Sequence, residues 1–142
     1  MKTLLAIVIS FICLENTNAQ TVPLGNNEED TLAYLKTFKA RKAEYIGKPF
    51  SVLLADLKIP IKAFSPIGGI FTDRSKEDAT AFFFKVPTTF DDFSSGKIVI
   101  YWQECFNINI SDIIYNKSEE GGIWLPEDMQ YYKNVIIGDM WV

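Results

Sequence analysis

The chain has 142 residues, of which 48% are hydrophobic and 23% are charged, with a formal net charge of −4 and no histidine. The composition is that of an ordinary globular protein, and the absence of histidine excludes Ser-His-Asp and Cys-His nucleophiles and histidine-ligated zinc. The negative net charge argues against general nucleic-acid binding, because neutralising phosphates requires clustered lysine and arginine.

Residues 1 to 19 have the layout of a secretory signal peptide. Lys2 supplies a positive start, residues 4 to 14 are apolar apart from one serine, and the segment Thr17–Ala19 begins and ends with a small residue. The apolar run is shorter than the roughly 20 residues that a membrane-spanning helix needs. We therefore predict an exported protein, periplasmic or extracellular, whose mature part is one domain over residues 20 to 142 without a transmembrane segment.

Two helices are predicted at the start of the mature domain. The first covers about residues 28 to 46, because acidic residues open it, apolar residues recur at a spacing of three, and Gly47 ends it. Pro49 opens the second helix, with Ser51 as an alternative cap, and this helix reaches about Leu57. The first helix also carries a basic cluster, which is either a solvated face or a contact for an anionic partner. This cluster comprises Lys36, Lys39, Arg41 and Lys42.

Four stretches have the residue pattern of strands. They cover residues 59 to 64, 79 to 86, 97 to 110 and 135 to 142, with loops at residues 65 to 78 and 87 to 96 and a short helix over residues 126 to 133. The third stretch exceeds the usual strand length of about 5–6 residues, so we expect it to bend, bulge or split near residue 104. These elements predict an α+β fold, in which N-terminal helices pack on a mostly antiparallel sheet of about four to five strands and a short helix precedes the C-terminal strand.

Glu104 is the candidate catalytic residue. If its strand stayed regular, Glu104 would lie on the apolar face between Trp102 and Phe106, where loss of hydration raises the pKa of a carboxyl group and suits it to act as a general acid. A bulge would instead turn Glu104 to water. Glycoside hydrolysis needs a second carboxylate about 5–10 Å away, and Asp112, on the same face, lies too far along a straight strand.

Aromatic side chains form the candidate binding site. Tryptophan and tyrosine combine a large apolar surface with a polar group and are common at interfaces. Trp124 follows two glycines in a turn and is expected to be exposed, and Tyr131 and Tyr132 are candidates in the short helix. The alternative for all three is a place in the core. Trp102 and Trp141 lie in strands, and we expect them to be buried.

The sequence predicts neither a metal site nor a cofactor. Its acidic clusters lack the spacing of a calcium-binding loop, and its glycine pairs do not form a phosphate-binding motif. Removal of residues 1 to 19 leaves Cys105 as the one cysteine of the mature chain, so no intramolecular disulfide is expected. No histidine or neighbouring base activates this thiol, and we expect a small buried side chain.

Several segments resemble small exported proteins of unknown function from flavobacteria-like bacteria. They are the segment Tyr45–Leu57, the closing Tyr131–Asn134 with the strand that follows, and the Asn-Ala-Gln end of the leader. The resemblance spans most of the chain. It implies export and carries no known activity.

Three functions are compatible with these features. The first is a non-catalytic interaction module of the cell envelope that binds a protein, a peptide or a glycan, and one form of it is a periplasmic immunity or inhibitor protein that blocks a basic toxin. The second is a carboxylate-based hydrolase of envelope glycan with Glu104 as the acid. The third is a structural or surface-layer component. We favour the first, because the chain has a leader, no histidine and many aromatic residues.

Overall fold

A computed structural model of the chain describes residues 28–69, 73–88, 96–119 and 121–142. Its main elements are α1 (Glu28–Ala40), α2 (Phe50–Asp56), β1 (Ala63–Gly68), β2 (Lys76–Phe83), β3 (Lys97–Asn107), α3 (Ile108–Tyr115), α4 (Asp128–Tyr132) and β4 (Ile137–Trp141). The four strands form one antiparallel sheet in the order β1-β2-β3-β4. This confirms the predicted α+β class, with a short helix before the last strand. The predicted signal peptide, residues 1 to 19, lies outside the described residues.

The N-terminal helical region is divided, although the sequence pattern predicts one continuous helix. α1 ends at Ala40, a 3₁₀ turn follows over Lys42–Glu44, and Gly47 has a φ of +77° that breaks the helical direction. α2 begins directly after Pro49, whose φ of −60° suits the start of a helix. Among the described residues, no helix is both long and apolar enough for a membrane span.

β1 lies later in the chain than predicted. It starts at Ala63 rather than near residue 59 and continues to Gly68, through residues that the sequence pattern assigns to a loop. Pro66 lies inside the strand, opposite Thr80 of β2. A proline is tolerated there because β1 is an edge strand and its outer side needs no continuous hydrogen-bond ladder.

α3 replaces the end of the predicted long strand. Ile108 and Ile110 continue the apolar alternation and are β-branched, which favours a strand, so the pattern alone did not indicate a helix. The chain turns into a helix at Asn107, whose side-chain oxygen accepts a hydrogen bond from the Asn109 N–H at 2.9 Å. This is the action of an N-cap, which satisfies a free donor of the first helical turn. Ile110 is consequently exposed.

The core lies on one face of the sheet. Ile98, Ile100 and Trp102 of β3 are buried there, as their alternation predicts, and helices α1 and α2 contribute further apolar residues to the same cluster. The core is rich in aromatic rings, and Phe50 of α2 stacks on Phe82 of β2 with ring centroids 4.7 Å apart. The largest fully buried apolar side chains are Tyr132, Phe38, Phe50, Phe64, Phe82, Leu35, Leu53, Ile98, Ile100, Ile137 and Met140.

Both edges of the sheet receive backbone partners from outside the strands. On the β1 side, the Phe64 N–H donates to the Gly122 carbonyl at 2.7 Å. On the β4 side, the Gly47 N–H donates to the Ile137 carbonyl at 2.8 Å, and the Ile137 N–H donates to the Lys48 carbonyl at 3.0 Å. These contacts occupy parts of both edges, where an unpaired strand would otherwise offer a template for association with another chain.

Candidate functional site

The pairing of β3 with β2 is interrupted by a bulge after Tyr101. Ala79 pairs with Tyr101 whereas Glu77 pairs with Phe106, so the stretch of β3 between these two pairs faces Asp78 alone. The irregular stretch of β3 covers residues 102 to 105 and includes residue 104, near which the length of the strand predicted an irregularity. Glu104 is exposed as a result, which corresponds to the alternative in which it turns to water.

The bulged end of β3 forms one wall of a surface groove. The other wall comes from α4 and the segment that leads into β4, and the groove has a volume of about 360 Å³. The Gln103 N–H donates to the Ile136 carbonyl at 2.9 Å, so the two walls are joined by a backbone hydrogen bond. The lining residues are Gln103, Glu104, Cys105, Phe106, Tyr131, Asn134, Val135 and Ile136.

The groove brings together two of the residues that the sequence analysis selected. Glu104 stands on one wall and Tyr131 on the other. Within the described lining, Glu104 is the one carboxylate, and the hydrolase hypothesis needs a second at about 5–10 Å. The amides of Gln103 and Asn134 are the further polar side chains. The arrangement can therefore donate and accept several hydrogen bonds beside an aromatic ring.

The remaining aromatic candidates do not form a surface platform with Tyr131. Tyr132 is fully buried. Trp124 is half-buried and packs edge-on against Phe64 and Phe82, with centroids 5.5 and 5.4 Å apart. The reason is the Ala63↔Ile123 bridge on the outer edge of β1, which holds the residues after the glycine turn against the core. The expectation of an exposed Trp124 is corrected accordingly.

The prediction of a buried Trp141 is wrong. Trp141 is 54% exposed on the face of the sheet opposite the core. Val99 of β3 is its cross-strand partner, and the Lys39 ammonium lies 5.6 Å from its ring centroid. Trp102 is buried as predicted. The strand pattern indicated the same environment for the two tryptophans, whereas their faces differ.

A buried carboxyl group, that of Glu77, was missed by the sequence analysis. β1 shifts its register against β2 between Ala79 and Glu77, so Asp78 is the additional residue of a bulge. A bulge reverses the alternation beyond it, and Glu77 rather than Asp78 therefore enters the core on the same side as Thr80. Glu77 has no exposed surface. Sequence alternation carries no sign of a bulge, and the residue appeared only as part of an acidic loop.

The Glu77 carboxyl lies in a shell of hydroxyl and aromatic groups. The Thr80 hydroxyl donates to its Oε1 atom, and the Tyr132 hydroxyl approaches the same oxygen at 3.5 Å. The Trp102 indole N–H donates to the Thr80 oxygen at 2.9 Å. Because an indole N–H can only donate, it leaves the Thr80 proton free for Glu77. The Oε2 atom is buried and has no hydrogen-bond partner among the described residues.

Burial controls the acidity of this carboxyl group. Desolvation raises the pKa of Glu77 from 4.5 to about 7, against a lowering effect of hydrogen bonds from neighbouring side chains. Burial and the charge of Glu77 both raise the pKa of Tyr132 above that of an ordinary tyrosine. Glu77 thus has the property that was expected of Glu104, a proton retained close to neutral pH.

Part of the basic cluster near the end of α1 forms intramolecular ion pairs. Arg41 forms ion pairs with Glu44 at 3.2 Å and with Asp56 at 3.0 Å. Lys42 pairs with Asp139 of β4 at 2.8 Å. These contacts join the helical region to α2 and to β4, which favours a structural role for Arg41 and Lys42 over a contact with an anionic partner.

Cys105 is exposed on the groove wall, which corrects the expectation of a buried side chain. It belongs to the bulged segment, whose side chains leave the regular alternation. A hydrogen bond to the Asp78 carboxylate, followed by desolvation, raises the pKa of the Cys105 thiol above its ordinary value. The thiol is consequently exposed but held in its less reactive, protonated form.

Comparison with known proteins does not assign the chain to a family. No protein-family model, curated protein or solved structure matches the chain. The resemblance to exported proteins of flavobacteria-like bacteria therefore stays a prediction from the sequence. Among the described residues, no cluster of three or more histidine, cysteine, aspartate or glutamate side chains is placed to hold a metal ion.

Proposed function

We propose that the chain is an exported, non-catalytic binding module whose groove holds a hydroxyl-rich ligand, namely one or two units of an envelope glycan. One observation carries this proposal: an acidic side chain and two amides, those of Glu104, Gln103 and Asn134, surround the same groove as the Tyr131 ring. Carboxylates and amides form several hydrogen bonds each. An aromatic ring supplies a flat apolar surface beside them.

The size of the groove limits the ligand. Its volume of about 360 Å³ is near the lower end of the range for small-molecule sites, roughly 300–1,000 Å³. A short segment of glycan is suitable for this volume, whereas a folded partner would require a much larger surface. The hydrogen bond between Gln103 and Ile136 fixes the walls before the ligand arrives, which reduces the cost of ordering them.

Export and the absence of catalysis are the remaining parts of the proposal. Export rests on the leader-like residues 1 to 19. Fractionation of cells and N-terminal sequencing test it, with Gln20 as the expected first residue of the mature protein. A non-catalytic role is supported by the lack of histidine and by the single carboxylate in the described lining of the groove.

Calorimetric titration with soluble peptidoglycan fragments and envelope polysaccharide fragments tests the ligand class. We expect Glu104→Gln to weaken binding about tenfold, because a hydrogen bond to a charged group contributes about 1.5–3 kcal/mol. Asn134→Ala should weaken it by a smaller factor. Glu29→Gln is the matched control, since Glu29 is an exposed acid on α1, and this variant should bind like the unaltered protein.

Three outcomes would contradict the proposal. Failure of every glycan fragment to bind would reject the ligand class and leave the protein or peptide partner, including the inhibitor form, as the next hypothesis. Release of shortened glycan by the protein, abolished in Glu104→Gln, would replace the binding role with the hydrolase. Equal turnover by both forms would remove Glu104 from any catalytic role.

A further inference from the structure

The groove and the shell of the buried Glu77 carboxyl are in direct contact through aromatic rings. Phe106 and Tyr131 line the groove. The Phe106 ring lies 5.7 Å from that of Trp102, and the Tyr131 ring lies 4.9 Å from that of Tyr132. Trp102 and Tyr132 belong to the shell of Glu77, and Phe106 is the register partner of Glu77 in the sheet. A change in the protonation of the Glu77 carboxyl would therefore occur beside the groove wall.

The shell satisfies one oxygen of the carboxyl group and leaves the other without a donor. Oε1 receives the Thr80 hydroxyl and is approached by that of Tyr132, while Oε2 is buried without a partner among the described residues. A neutral carboxyl group tolerates this at moderate cost, whereas an ionised group with an unpaired buried oxygen is much less stable. The ionised form therefore requires an additional donor.

The groove side is the direction from which this donor can come. The hydroxyls of Ser111 on α3 and Tyr131 on α4 lie 3.5 Å apart, and the Ser111 side chain is near enough to the Glu77 carboxyl to lower its pKa. Tyr131 lines the groove, and its hydroxyl is directed toward the buried Ser111. A turn of this side chain would supply a donor or admit a water molecule.

We infer that Glu77 is a proton-controlled regulator of the groove: loss of its proton draws a hydroxyl or a water molecule toward Oε2 and displaces the wall formed by Phe106 and Tyr131. The protonated form keeps the wall in the position described above. This inference rests on the proposed binding role of the groove and adds its regulation. A ligand that prefers one wall position would consequently bind with an affinity that depends on pH near neutrality.

Among the described residues that contact Glu77, the titratable side chains are tyrosines, which do not ionise near neutral pH. The chain has no histidine. Within the described residues, α4 presents Tyr131 and Tyr132, and the pKa values of both are raised above that of an ordinary tyrosine. The residues of the other elements that the strand register and the hydrogen bonds place beside the carboxyl are uncharged. These are Gly68 of β1, Thr80 of β2, Trp102 and Phe106 of β3 and Ser111 of α3.

Two-dimensional proton–nitrogen NMR of the purified protein from about pH 5 to about pH 9 tests the inference. The Trp102 indole N–H reports on Glu77 through Thr80, and the side-chain amides of Gln103 and Asn134 report on the groove. We expect all three resonances to shift with one common midpoint near pH 7. In Glu77→Gln they should stay constant over this range, while Asp112→Asn, an exposed control on α3, should leave the midpoint unchanged.

The outcomes separate this inference from the binding role. If the Trp102 resonance titrates while those of Gln103 and Asn134 do not, Glu77 does not control the groove, and the inference is overturned without affecting the binding role. Absence of any titration also overturns it. If Glu77→Gln does not fold, Tyr131→Phe provides the test, because it keeps the ring and removes the hydroxyl. It should reduce the response of Gln103 and Asn134 but retain that of Trp102.

Discussion

Trp102 is connected to the buried carboxyl of Glu77 through a single hydroxyl group, that of Thr80. The indole N–H donates to the Thr80 oxygen at 2.9 Å, and the Thr80 proton goes to Glu77. This chain fixes the direction of both hydrogen bonds, since the indole has no acceptor. It also connects Trp102 of β3 to the protonation of Glu77 on the neighbouring strand β2, so the stability of the sheet depends on pH.

The first prediction concerns that dependence. The folded state retains a proton on Glu77 up to about pH 7, whereas the unfolded chain releases it near the ordinary pKa of 4.5. Between these values the folded state binds more protons, so stability is greatest below the lower value and decreases as pH rises through the window. The full loss is about 3 kcal/mol, since one pKa unit corresponds to about 1.4 kcal/mol.

Urea unfolding at about pH 5 and about pH 8 measures most of this loss. Glu77→Gln should remove most of the difference, because an amide does not ionise. Asp128 also has a pKa raised by burial and contributes a dependence of the same sign, which remains in this variant. A protein that is equally stable at both pH values would contradict the prediction.

The second prediction concerns the exposed thiol of Cys105. Its hydrogen bond to Asp78 is the main cause of its raised pKa, so the fraction of thiolate at neutral pH is small. Asp78→Asn removes the negative charge, and we expect the rate of alkylation by iodoacetamide near pH 8 to increase several-fold, since the thiolate is the reacting species. Asp112→Asn serves as control and should react like the unaltered protein. An unchanged rate in Asp78→Asn would show that exposure alone governs the reaction.

The third prediction concerns the contact between the 3₁₀ turn and α2. The buried Tyr45 hydroxyl and the Arg41 guanidinium both donate to the Asp56 carboxylate, and these bonds lower the pKa of Asp56. A depressed carboxyl pKa stabilises the fold above the ordinary value and ceases to do so as pH falls through the folded value. Tyr45→Phe should destabilise the fold by about 1–2 kcal/mol at neutral pH.

The same variant should lose less stability on acidification than the unaltered protein, because one of the two bonds that favour ionised Asp56 is absent. Thermal unfolding at about pH 7 and about pH 3 gives both quantities. Thr37→Val is a useful control, since it removes a different local hydroxyl bond, that from Thr37 to the Tyr34 carbonyl. If Tyr45→Phe and Thr37→Val respond identically to acid, the Asp56 contact has no special part in acid unfolding.

The sequence predicted those features that depend on regular periodicity. Ile98, Ile100 and Trp102 alternate and are buried together, and the length of β3 indicated an irregularity near Glu104, where the bulge lies. It did not predict Glu77, because a one-residue bulge at Asp78 reverses the face without changing composition or spacing. It also did not predict the exposure of Trp124 or Trp141, since that exposure depends on which parts of the chain cover each edge and face of the sheet. That is decided by contacts distant in the chain, such as the Ala63↔Ile123 bridge.

The last prediction concerns this coverage of the β1 edge. Gly122 has a φ of +66°, and a Cβ atom there would lie 2.5 Å from the Tyr115 ring and 2.6 Å from the Phe64 carbonyl oxygen. The Gly122 carbonyl accepts the Phe64 N–H. Gly122→Ala therefore combines a left-handed backbone, which costs about 1–2 kcal/mol, with a clash against backbone that cannot move without breaking the edge contact.

Gly47 is the matched comparison for Gly122, because its φ is +77° and no described atom lies within 4 Å of the position that a Cβ atom would take. Gly47→Ala should show the backbone cost alone, and Gly122→Ala should be destabilised by at least about 1 kcal/mol more in urea unfolding. Equal losses in the two variants would mean that the turn yields to the added methyl group and that the close approach to Phe64 does not hold it in place.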